Sequence, residues 1–110
     1  MKQSHTTLLE RNTKWHGRFV TEPYEGGWAS EAIFFVRVLE SDGDLGSITA
    51  QAQISPDGIR WADEGSSLAI DPDAETTYCR VSHFGNWLRL VGDLPEGSSA
   101  KVIVYLVLKE

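Results

Sequence analysis

Ile48-Thr49-Ala50-Gln51-Ala52-Gln53-Ile54 alternates apolar and polar side chains without a fault, and Ser55-Pro56-Asp57-Gly58 follows directly. A strict period of two sends one set of side chains into a core and the other into water, as in a half-buried strand. Ser55, Pro56 and Gly58 fall at the first, second and fourth positions favoured by a type I turn, so the chain should reverse into Ile59-Arg60-Trp61-Ala62. Similar units recur along the sequence, and no segment carries a long helical period.

Thr6–Glu10 reads as a short strand or an extended arm, and His16–Thr21 as a second strand. Glu22–Trp28 contains Pro23 and the pair Gly26-Gly27, which mark an irregular aromatic loop. Ala32–Leu39 is apolar on both faces, so it should be a central strand or one covered on its second face. Ser41–Ser47 is a hairpin loop, and Asp63–Asp73 a polar connection holding a brief Leu68-Ala69-Ile70. Thr76–Ser82 and Trp87–Val91 flank His83-Phe84-Gly85-Asn86, where Gly and Asn suit a tight hairpin. After a reversal at Asp93–Ser99, Ala100–Leu108 closes the chain as a long β-branched strand. Short strands spaced by turns predict an all-β fold, an antiparallel β-sandwich of seven to eight strands, with a jelly roll as one form. A small closed β-barrel is the alternative. Residues 1–15 are expected to be an N-terminal arm or edge strand, and 16–110 a single sandwich domain.

At 110 residues and 41% hydrophobic, with four Trp, four Phe and three Tyr, the chain can build an ordinary core. A net charge of -6 argues against nucleic acid or an anionic membrane as the main partner. Cys79 is the single cysteine, which excludes an intrachain disulfide and reads as a small buried hydrophobe. The opening Met1-Lys2-Gln3-Ser4-His5 begins no apolar stretch of signal-peptide length, and no run approaches membrane-spanning length. The expected location is the cytoplasm or a virion.

Candidates for chemistry are few. His5, His16 and His83 sit in different elements without the spacing of a zinc motif, so no metal or other cofactor is expected. No Gly-x-Ser-x-Gly elbow is present to carry a serine nucleophile. Asp63-Glu64 and the Asp71–Glu75 acids lie in loops, where carboxylates are usually solvated rather than shifted for acid–base work. Asp42 with Asp44, and Asp71 with Asp73, offer paired oxygen donors of the kind calcium takes, though Asp-Gly and Asp-Pro also form turns without an ion. The chain therefore reads as no enzyme.

The aromatics are the stronger signal. Tyr24 and Trp28 flank the flexible Gly26-Gly27, and an exposed platform there would stack on a sugar ring or bury into a partner protein. The plain alternative is a loop folded back over the open end of the sandwich. Trp61 follows a turn, and alternation puts Trp87 and Arg89 on the face opposite Leu88 and Leu90. Tyr24, Trp28, Trp61 and Trp87 are the candidate interaction residues. Arg37, Arg80 and Arg89 lie inside strands, where they act as intrachain partners or as interface anchors.

Gln53–Trp61 resembles the Q-x-S-x-D-G-x-x-W hairpin of small β-sandwich modules in phage virion proteins and adhesive surface proteins. Tyr78–Val81 followed by Trp87–Leu90 resembles the paired strands that close such modules. The resemblance spans residues 30–108 and implies a non-catalytic sandwich that binds or builds something. The expectation is a structural protein packing into a larger assembly, most concretely a phage capsid decoration or cement-like protein with protein subunits as partners, a homo-oligomer among them. The alternative is a carbohydrate-binding module using Tyr24, Trp28 and Trp61.

Overall fold

The computed structural model describes residues 3–110. Nine strands follow one another: β1 (Ser4–Trp15), β2 (Arg18–Val20), β3 (Tyr24–Glu25), β4 (Glu31–Asp42), β5 (Thr49–Ser55), β6 (Ala62–Ala69), β7 (Thr77–Ser82), β8 (Trp87–Asp93) and β9 (Ser99–Lys109). They form two antiparallel sheets that do not close into a barrel. One has four strands in the order β1-β9-β4-β7. The other runs β2-β8-β5-β6, with β3 pairing β8 beside β2. The fold is the antiparallel sandwich that alternation predicts. The count exceeds seven to eight because the two-residue β3 and the polar β6 are also strands.

Alternation sorts the side chains of both sheets. From the four-stranded sheet, Ala32, Phe34 and Val36 of β4, Cys79 and Val81 of β7, and Val102, Val104, Leu106 and Leu108 of β9 point inward and are buried. Ala50, Ala52, Leu88 and Leu90 face them from the five-stranded sheet. Burying each Leu or Phe here is worth roughly 1.5–3 kcal/mol. Trp15 and Phe19, with ring centroids 4.0 Å apart, stack at the end where β1 passes into β2. Thr21 is buried but satisfied: the Leu90 amide donates to its hydroxyl at 2.9 Å, and its own amide donates to the Leu90 carbonyl.

Three expectations are corrected. Ser41–Ser47 closes no hairpin, because β4 pairs with β7 and β9 in one sheet and β5 with β6 and β8 in the other. Thr77–Ser82 and Trp87–Asp93 do not form a hairpin. β7 pairs with β4 and β8 with β5, so residues 83–86 carry the chain from one sheet to the other, with His83 in the left-handed region at φ 54°. Cys79 and Val81 face Leu88 and Leu90 across the core rather than beside them. The polar stretch after Trp61 is no connection either. Residues 62–69 form β6, an edge strand whose register shift against β5 falls between Gln51 and Gln53.

The first strand lies along β9 of its own chain from Ser4 opposite Lys109 to Trp15 opposite Ala100. Two register shifts, between Leu8 and Glu10 and between Glu10 and Thr13, and Asn12 at φ 53° break its regularity. Such bulges bend an edge strand and blunt its tendency to pair with another chain.

Candidate interaction surfaces

The outer face of the four-stranded sheet follows from the same alternation. In β4, Ile33, Phe35 and Arg37 point away from the core, and in β9, Ile103, Tyr105 and Val107 do so. Register then aligns Leu8, Tyr105, Phe35 and Tyr78 in one row across all four strands. Tyr78 is 51% exposed, Tyr105 39% and Leu8 38%. The rings of Phe35 and Tyr78 lie 6.0 Å apart, and the Arg80 guanidinium sits 5.3 Å over the Tyr78 ring. Beside this row, Val107 and Ile33 are paired neighbours, and Ile103 is paired with Arg37. At one end a shallow cavity of about 410 Å³ opens between Ile33, Arg80, Ser82 and Lys109.

β4 is therefore central in its sheet and apolar on its second face, which no strand among the described residues covers. Arg37 and Arg80 are exposed on that face, and neither takes part in the two ion pairs among the described residues, Arg18–Asp93 and Arg60–Asp57. The row was not singled out from sequence. The signal was there in Ala100–Leu108, where Ile103, Tyr105 and Val107 are as apolar as the residues between them.

The outer face of the five-stranded sheet is mixed, with the exposed Val20 beside a hydrogen-bonded polar network. Arg89 Nε donates to Gln53 Oε1 at 2.8 Å, and Gln53 Nε2 donates to Asp63 Oδ1 at 2.9 Å. The Arg89 guanidinium lies 4.1 Å over the Trp61 ring. Burial lowers the pKa of Arg89 from its usual value, and the charge of Arg18 adds to this. Arg89 is thus an intrachain partner. Trp87 supports the β5–β6 turn: a Cβ on Gly58 would come within 3.1 Å of its ring. Trp61 and Trp87 share this sheet face, each half-buried.

Tyr24 and Trp28 lie elsewhere. Tyr24 packs against the core, with the His5 ring stacked 6.4 Å from it. Trp28 is 44% exposed in the loop before β4, where the Ala29 amide donates to the Gly26 carbonyl and the Ser30 amide to that of Lys109. The four candidate aromatics do not form one site.

The paired acids serve turns. Asp44 Oδ1 accepts the Gly46 amide and Asp71 Oδ1 the Asp73 amide, both at 2.9 Å. Among the described residues no three His, Cys, Asp or Glu side chains converge to hold a metal. Cys79 is buried, and burial with the nearby Glu64 charge pushes its thiol up to about 11. No helix of the described residues is long and apolar enough to cross a membrane.

These features define the chain as an open antiparallel β-sandwich whose four-stranded sheet carries a row of partly exposed apolar side chains on its outer face. A solved structure, that of the SPBc2 prophage-derived protein YomS, is similar to it over 100% of this chain and 96% of the other, with a TM-score of 0.66. At 9% identity the likeness shows the shared fold alone. No family model matches the sequence. No curated protein matches it either.

Proposed function

We propose that this chain is a non-catalytic structural protein that packs into a larger assembly through the outer face of its four-stranded sheet. The observation that carries the reading is the row Leu8, Tyr105, Phe35 and Tyr78 spanning every strand of that sheet. Contiguous exposed apolar surface of this kind is costly in water and marks contact sites. Aromatic rings and arginines are the side chains that carry most binding energy when a partner covers them. A phage capsid decoration or cement-like role is the concrete form, supported by the fold shared with a prophage-derived protein.

Light scattering of the purified protein, with co-sedimentation on phage capsid particles, tests this. The expected result is a mass above the 12.2 kDa chain or retention on particles, lost in Tyr78→Glu and Tyr105→Glu. A strict 12.2 kDa monomer that binds no particle contradicts it. Carbohydrate binding is the second reading, favoured by the exposed ring of Trp28. Titration with a glycan panel checks it through tryptophan fluorescence, and an unchanged spectrum with every sugar removes it.

A further inference from the structure

We infer that the partner of the apolar sheet face is a second copy of the same chain, docked face to face about a two-fold axis. The axis runs parallel to the strands, over the gap between β4 and β9. This inference rests on the reading of that face as a contact surface and adds what covers it.

The argument is one of register. A two-fold placed there lays β4 of one copy over β9 of the other without changing height along the strands. Residues already opposite each other within one chain then meet their counterparts across the interface. Ile33 faces Val107 of the second copy, Phe35 faces Tyr105, and Leu8 faces Tyr78. In these three pairs every apolar group meets an apolar group.

The charges obey the same rule. Glu31 is in register with Lys109, and Glu40 with Lys101, all four on the outer face. The two-fold therefore sets Glu31 against Lys109 and Glu40 against Lys101, and the reverse, at both ends of the apolar patch. None of these four takes part in an ion pair among the described residues. Arg37 lands over Ile103, where its stem covers apolar surface while the guanidinium reaches the rim. An isologous contact requires a surface complementary to itself, and this face meets that condition in both apolarity and charge. A crossing of roughly 30° between packed sheets displaces pairs in proportion to their distance along the strands, so the central Phe35–Tyr105 pair keeps its place best.

The size is close to what a stable dimer needs. Three strands of about ten facing residues and β7 of 6, about 4.8 Å apart at about 3.3 Å a residue, give a face roughly 19 Å wide and at most about 33 Å long. That projected area, on the order of 600 Å² before side-chain relief, approaches the ~800 Å² per partner of a standard interface.

Native mass spectrometry and sedimentation of the full chain over the micromolar range test the inference, with circular dichroism confirming that each variant is folded. Wild type is expected at twice 12.2 kDa, and Tyr105→Glu at 12.2 kDa. Because Glu31 and Lys109 are exposed, their reversal spares the fold. Glu31→Lys or Lys109→Glu alone should weaken the dimer roughly tenfold, and the double swap should restore it. A wild type that stays monomeric, a dimer that survives Tyr105→Glu, or a double swap as weak as either single change overturns the inference. A monomer that still binds capsid particles through this face removes the second copy and leaves the assembly reading standing. A monomer that binds nothing removes both.

Discussion

Ser55 and Asp57 close the β5–β6 turn with their own side chains. Ser55 Oγ accepts the amides of Asp57 and Gly58 at 3.2 and 2.8 Å, while Asp57 Oδ1 accepts those of Ile59 and Arg60, both at 2.9 Å. Those backbone donors, with smaller help from the Ser55 hydroxyl and the Arg60 guanidinium, hold the exposed Asp57 carboxyl down to about 2. A carboxylate with a depressed folded pKa stabilises above its ordinary value and stops doing so as pH falls through the lowered one. The melting advantage of wild type over Asp57→Asn should therefore be full above about pH 4 and shrink towards about pH 2. Calorimetry across that window checks it, and an advantage that does not change with pH contradicts it. At Gly92 the constraint is space. A Cβ there would lie 2.4 Å from Phe19 Cζ and 3.0 Å from the Thr49 carbonyl oxygen. Phe19 is pinned by its stack on Trp15. Gly92→Ala should cost about 1–3 kcal/mol in denaturant unfolding, and a neutral result would show that the ring can move.

Among the elements, β9 carries most of the architecture, being hydrogen-bonded to both β1 and β4. Its two faces have separate jobs, and adjacent substitutions separate them. Leu106→Ala should destabilise the fold by about 2–5 kcal/mol through the cavity it leaves. Tyr105→Ala, measured at dilution, should cost only ~1 kcal/mol, because it removes a cross-strand contact and no core volume. Chemical denaturation of both variants decides this, and equal losses contradict it. The strands with alternation, β5 and β8, were legible from residue order, because period two fixes which side chains turn inward, and β9 was legible as a long β-branched run. Period two does not say which sheet a strand joins. Hence Thr77–Ser82 and Trp87–Asp93, each correctly read as a strand, were wrongly paired. β6 was illegible because Ala62-Asp63-Glu64-Gly65-Ser66-Ser67-Leu68-Ala69 lies at an edge and buries little besides Leu68. The same limit applied to the surfaces. Trp61 and Trp87 drew attention as rings, yet one carries Arg89 and the other supports Gly58. The row through Phe35 needs residues from four strands, and only the register assembles it.

At the scale of the whole molecule, an envelope of 44 × 28 × 20 Å gives two broad sheet faces. The five-stranded sheet turns outward a hydrogen-bonded network of Asp63, Gln53 and Arg89, which water can cover at little cost. The four-stranded sheet turns outward aromatic and aliphatic side chains flanked by charges that form no ion pair among the described residues. Sedimentation velocity of wild type and Tyr105→Glu, run side by side across a wide concentration range, tests self-association through the four-stranded face most directly. The expected result is a wild-type coefficient that rises with concentration towards a species heavier than 12.2 kDa, beside a folded variant that stays at 12.2 kDa throughout. Coincident curves for the two proteins would contradict self-association through that face.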